Sequence, residues 1–115
     1  MKQQALLFSS SALLLALSAS LAAAQQTVEL CLETIGCVQN RHVSKRDAEK
    51  LGCDQLWTAR NAIFAVRGYC FSTARGKQEF GNQHCRYTSQ NAVPLNDFER
   101  ANINLIKSIE KRRGC

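Results

Sequence analysis

Apolar side chains recur at helical spacing in two separate stretches of this chain. In the first, Leu56, Ala59 and Ile63, with Trp57 and Phe64 beside them, follow steps of three, four and seven residues, the period of one helical face. Asp54 stands where an N-cap is expected and Gly68 where a helix exits through a positive φ, so the spacing predicts a helix over 55–67. In the second, Phe98, Ala101, Leu105, Ile106 and Ile109 line one side while Asp97, Arg100, Asn104, Lys107 and Lys111 line the other. Pro94 precedes it, Asn96 and Glu99 form a capping box, and Lys111-Arg112-Arg113 lead into Gly114. These signals predict an amphipathic helix of about four turns, with cations at its C-terminal end where the helix dipole favours them.

The remaining elements are shorter. From Gln25 to Val43 there is little periodicity, although Val28, Leu30 and Leu32 alternate with polar neighbours as in a short strand, and this stretch is expected to be an extended arm. Ser44 and Asp47 resemble a capping box and Gly52 follows Leu51, so one or two helical turns are expected between them. Ser72 or Thr73 can cap another short helix, weakened by Gly76, closed near Gly81, and burying Phe80. Asn82 to Val93 is polar and reads as a loop. The fold class expected is mainly α: a small disulfide-stapled helical domain of three to four short helices with an extended N-terminal arm.

Residues 1–24 carry the three parts of a secretory signal: Lys2, the apolar stretch Ala5–Leu17, and the small residues Ala22-Ala23-Ala24. Cleavage is expected before Gln25. The apolar stretch is shorter than the ~20 residues that span a bilayer, so no stable membrane insertion is expected after cleavage. The chain then divides into a signal peptide (1–24), an arm with a short helix (25–52) and a helical domain (53–115). The whole chain has 15 Lys or Arg against 9 Asp or Glu, a net charge of +6. A basic exported domain of this size gains little net stability from its core alone and needs covalent staples.

Six cysteines are available for that purpose: Cys31, Cys37, Cys53, Cys70, Cys85 and Cys115. An even number in a short exported chain reads as a disulfide framework. There is no C-x-x-C pair, and His42 and His84 do not stand at a ligand spacing, so neither metal nor cofactor is expected. Six cysteines allow about 15 pairings. Helix geometry narrows them. If the segments after Cys53 and before Cys115 are antiparallel helices, those two cysteines meet, Cys70 and Cys85 flank a short third helix, and Cys31 is left with Cys37.

Candidate binding groups are few. Arg60 and Arg67, seven residues apart, project from nearly the same side of one helix with Asn61 beside them, and a guanidinium fork suits a carboxylate or phosphate. The alternative favoured here is that Arg60 and Asn61 hydrogen-bond backbone groups of the surrounding loops. Lys107, Lys111, Arg112 and Arg113, with Arg41, Lys45 and Arg46, form a second basic set suited to an anionic envelope polymer, although a solvated helix face is the default. Trp57, Phe64, Tyr69, Phe71, Phe80 and Phe98 are expected to be core rather than a stacking surface. His42 and His84 are isolated. No paired carboxylates, Ser-His-Asp order or Gly-rich phosphate loop supports catalysis, and no nucleic-acid motif is present.

Asp54 through Lys111 resembles the YARHG domain, an extracellular bacterial module. The residues that carry the resemblance are Leu56-Trp57, Arg60-Asn61, Ile63-Phe64, Gly68-Tyr69, Phe71 and Phe80, followed by Leu95 to Ile103. The Tyr-Ala-Arg-His-Gly signature stands here as Phe64-Ala65-Val66-Arg67-Gly68, keeping Ala65 and Gly68 in place. The resemblance implies a periplasmic or secreted location and no particular catalysis. The expected function is a non-enzymatic interaction module for an anionic envelope component or a periplasmic protein. The alternatives are a periplasmic enzyme or enzyme inhibitor, and a cationic secreted effector.

Overall fold

The structure, a computed structural model, describes residues 29–115. The expected signal peptide and Val28 lie outside the described residues. A two-strand ribbon comes first, β1 (Cys31–Leu32) against β2 (Gly36–Cys37), then helices α1 (Lys45–Glu49), α2 (Cys53–Val66), α3 (Ala74–Phe80) and α4 (Asp97–Arg113), with a 3-10 turn over Gln90–Ala92 before α4. The mainly helical fold expected from the sequence is the one observed.

Helices α2 and α4 form the centre. Contacts between them reverse in order along the chain: Cys53 joins Cys115, Arg60 meets Glu110, and Arg67 meets Glu99, so the two helices run antiparallel. Leu56 and Ile63 from α2 and Ile106 and Ile109 from α4 are fully buried. Each such side chain contributes roughly 1.5–3 kcal/mol on removal from water. Ile35, Val38, Val43, Ala48 and Leu51 enter the same core, so the arm and α1 pack as part of one unit with the helices.

The helix starts show how local chemistry sets the boundaries. Asp54 was expected to cap α2, but Gly52 is the cap, with extended backbone and an N–H that donates to Gln55 Oε1 at 3.0 Å. Asp54 instead sits in the first turn, 3.0 Å from Arg75. Starting the helix at Cys53 places that residue on its first turn, opposite the end of α4. Helix α4 begins as expected, with Asn96 Oδ1 accepting from the Glu99 N–H at 2.8 Å. Thr73 caps α3 through a bond from the Gly76 N–H to its hydroxyl at 3.1 Å.

The buried face of α4 is displaced from the expected one. Phe98 is 37% exposed, while Glu99, Asn102, Ile103, Ile106 and Ile109 are buried. A rotation of one residue about the helix carries a carboxylate and an amide inward, and both are accommodated because partners wait for them. Phe80 is half-buried rather than buried, stacked on Phe71 at 5.0 Å between ring centroids. Gly76, read from the sequence as a weak point of α3, has a packing reason: a Cβ there would fall 2.5 Å from the Phe71 ring.

Three disulfides close the structure. Cys31–Cys37 ties cross-strand partners of the ribbon, Cys53–Cys115 clasps the start of α2 to the end of the chain, and Cys70–Cys85 holds the segments flanking α3. On the chain-entropy account the longest loop stabilises by about 4 kcal/mol, the middle one by about 3 and the shortest by about 2.

Candidate functional site

The chain leaves α2 through Gly68, whose φ of +90° is open to glycine at little cost. The reversal exposes the Gly68 carbonyl, which accepts from the N–H groups of Arg86 at 2.7 Å and Tyr87 at 3.0 Å, while the Cys70 N–H donates to the Tyr87 carbonyl at 2.7 Å. Asn82 adds a second anchor, bonding the Phe71 N–H and carbonyl at 2.8 and 2.9 Å. Together with Cys70–Cys85, these bonds fix the segment 82–87 against the end of α2. Within it His84 has a φ of +62°, a conformation that costs a non-glycine residue on the order of 1–3 kcal/mol and persists only where neighbours enforce it.

This arrangement borders an open polar cavity of about 340 Å³ lined by Val66, Arg67, Gly68, His84, Arg86, Tyr87 and Pro94. Arg67 is oriented from behind. Its Nε donates to Glu99 Oε2 at 2.7 Å and its Nη2 donates to Glu99 Oε1. Glu99 is fully buried and Arg67 is 35% exposed, so the carboxylate holds the guanidinium from the inside while one edge reaches the cavity. The hydrogen bond to Glu99 raises the Arg67 pKa above the ordinary guanidinium value, against opposing desolvation. Arg67 is therefore charged at any physiological pH. Arg86 is exposed and supplies positive charge that Glu99 does not neutralise.

The sequence candidates divide. Arg67 lines the cavity. Arg60 does not bond loop backbone as expected: its Nε and Nη2 reach Glu110 Oε1 and Oε2 at 2.7 and 3.0 Å, and both partners are largely buried. Asn61 also departs from expectation, donating to the Trp57 carbonyl of its own helix at 2.9 Å. Arg112 pairs with Glu49 at 3.1 Å, and Arg113 donates to the carbonyls of Leu51 and Glu49, so both clasp α4 to the end of α1. Lys107 and Lys111 remain as exposed positions on α4. Arg60, Arg67, Arg112 and Arg113 thus each hold one helix to another, and Lys45 shares Glu49 with Arg112.

His84 reads from the sequence as an isolated histidine, and Arg86 is not singled out, because each is unremarkable there. The signal that could have found them is their placement on either side of Cys85, whose disulfide makes that loop rigid. His42, the other isolated histidine, packs on Phe98 with ring centroids 4.8 Å apart. The aromatic residues form a chain of contacts from Trp57 through Phe80, Phe71 and Tyr69 to Phe64, with Arg75 lying 3.8 Å over the Trp57 ring. Residues of the family-like pattern, Leu56, Trp57, Arg60, Asn61, Phe64, Ala65, Gly68 and Tyr69, therefore build α2 and its exit.

Two other features stand outside this cavity. An open groove of about 280 Å³, lined by Leu32, Ile35, Leu51 and Ala59 with Glu33 and Asp54 at its margin, lies at the N-terminal end of α2. Glu29 lies near Cys31 and Cys37, but both sulfurs are in a disulfide and offer no thiolate to a metal. Among the described residues no helix is long and apolar enough to cross a membrane.

Comparison with known proteins places this architecture. Residues 32–111 match the YARHG domain, a span that begins in the ribbon and takes in α1 as well as the larger helices. No curated protein matches the chain, and no solved structure does. The matched span covers the shared core from β1 to the last turns of α4, and this chain belongs to the YARHG domain family, whose small domains are extracellular in keeping with three disulfides and an oxidising compartment.

Proposed function

We propose that the protein is a non-catalytic binding module, exported by its N-terminal signal to the periplasm or the medium, that holds an anionic ligand in the cavity between the end of α2 and the Cys70–Cys85 loop. The observation that carries this reading is the convergence of Arg67, His84 and Arg86 on one cavity. Cations in a concave site with low-dielectric walls focus their field on an incoming anion. A guanidinium already oriented by a carboxylate loses little freedom on binding. The lining has no carboxylate, no serine or threonine hydroxyl and no free thiol, so it supplies neither a general base of the carboxylate type nor an activated nucleophile of those kinds.

The test is titration of the oxidised protein with inorganic phosphate and with galacturonate, followed through the backbone amide signals of residues 84–87, at low and high salt. Saturable shifts there, weakened at least fivefold by Arg86→Gln at unchanged melting temperature, are expected. Shifts elsewhere, or full binding in the Arg86→Gln protein, would overturn the assignment.

A further inference from the structure

We infer that the ligand is an acidic polysaccharide, bound along two adjacent cavities rather than as a free small anion. This rests on the reading of the Arg67–His84–Arg86 cavity as an anion site. Pro94 lines that cavity, and its immediate neighbours Val93 and Leu95 line a second one of about 200 Å³. Consecutive Cα atoms lie about 3.8 Å apart, so the linings of the two cavities adjoin along the chain at Val93-Pro94-Leu95. A ligand of a few linked units is the size that would engage both linings.

The second cavity has a different chemistry from the first. Gln90 and Asn91 from the 3-10 turn and Asn104 from α4 bring three amides, and Arg100 and Lys107 bring two cations. Arg100, Asn104 and Lys107 follow one another at four and three residues, so they form a single exposed stripe of α4. Arg100 is steadied by donating from Nη2 to the Leu95 carbonyl at 3.0 Å. Amides offer both donors and acceptors, the combination that sugar hydroxyls require, while the cations pair with carboxylate or phosphate groups.

A peptide ligand fits less well. Protein partners anchor through large apolar or aromatic side chains in a desolvated pocket. The apolar groove that could receive such an anchor lies at the far end of α2 and is margined by Glu33 and Asp54, which repel an acidic partner. The cavities beside Pro94 carry the amides and cations, the second with Phe64, Val93, Leu95 and Ile103 also in its lining, and no carboxylate lines either. Repeating charge with intervening hydroxyls is the ligand pattern that matches them.

Calorimetric titration of the intact oxidised protein distinguishes the possibilities. The probes are galacturonate, oligogalacturonates of rising length, phosphorylated oligomannose and polyglutamate of matched charge. An oligosaccharide of either acid type is expected to bind at least tenfold more tightly than the monomer, and more tightly than polyglutamate. The double substitution Asn104→Ala with Lys107→Ala, at exposed positions, is expected to remove the gain with length, so that oligosaccharide and monomer bind alike. Monomer binding with no gain for either oligosaccharide would overturn the polysaccharide inference and leave the anion cavity standing. Equal or tighter binding of polyglutamate would also overturn it. Binding of no probe at all would overturn both.

Discussion

The side-chain oxygen of Asn102 accepts a hydrogen bond from the Val43 backbone N–H at 2.8 Å, joining residues 59 apart in sequence. The same side chain donates from Nδ2 to the carbonyls of Val38 and Arg41 at 2.8 and 2.9 Å. One buried amide therefore satisfies three backbone groups of a segment that has no ladder of its own. Asn102→Ala is expected to destabilise the protein by about 3 kcal/mol, because each buried group left unpaired costs roughly 1–3 kcal/mol. Urea unfolding under oxidising conditions measures this. A loss under 1 kcal/mol would mean that the arm finds other partners.

The two arginine–carboxylate pairs between α2 and α4 differ in burial, and their removal is expected to differ accordingly. Glu99 is fully buried and its Oε1 also accepts from the Asn96 N–H at 3.4 Å, whereas Glu110 is 13% exposed at its side chain. Breaking a buried pair costs about 3–5 kcal/mol, less where the orphaned partner can turn to water, as the partly exposed Arg67 can. Glu110→Ala orphans Arg60, only 17% exposed, and is expected to cost about 3 kcal/mol, whereas Glu99→Ala orphans the more exposed Arg67 and is expected to cost about 2. Parallel denaturation curves would show the order, and the reverse order would mean that burial of the carboxylate, not of the guanidinium it leaves behind, sets the cost.

Gly76→Ala tests two opposed effects in α3. Helix propensity favours alanine by about 1 kcal/mol, while the new Cβ would meet the Phe71 ring at 2.5 Å and the Phe71 Cβ at 2.8 Å. Overpacking of this kind costs about 1–3 kcal/mol because the nearer atoms cannot swing aside as a flexible tip would. Net destabilisation with a lower melting temperature is the expected result.

The disulfides are expected to separate stability from binding. Replacing Cys53 and Cys115 together by serine opens a loop of sequence separation 62 and should cost more than replacing Cys31 and Cys37, separated by 6. Replacing Cys70 and Cys85 leaves the α2–α4 core closed but frees the segment that carries His84 and Arg86. It is therefore expected to weaken phosphate binding more, for a given loss of melting temperature, than either of the other double variants, and an equal proportion across the three would contradict the placement of the anion site at this loop.

Acid titration addresses α1. The Ser44 hydroxyl, and then Lys50, lower the pKa of Asp47 below its ordinary value. A carboxylate depressed in the folded state stabilises fully above its unfolded pKa, and this contribution fades as pH falls through the lower folded value. The stability difference between the parent and Ser44→Ala is thus expected to be constant near neutrality and to shrink on acidification below about pH 4. A difference that grows toward low pH would contradict the sign.

Much of the fold was legible before the structure. The period of Leu56, Ala59 and Ile63 located α2, and Asn96 with Glu99 and Gly114 bounded α4, because capping and amphipathic spacing are local properties of the chain. What remained hidden depended on partners distant in sequence. The inward turn of Glu99 and Asn102, neither of which belongs to the apolar side read from the sequence, follows from Arg67 and from the arm's unpaired backbone. The role of Arg60 required Glu110, 50 residues away. His84 and Arg86 became a candidate site only once the carbonyl of Gly68 drew their loop against α2. Periodicity and caps belong to neighbouring residues and so determine the helices, whereas a charge or amide is buried or exposed according to what faces it, which the tertiary structure alone decides.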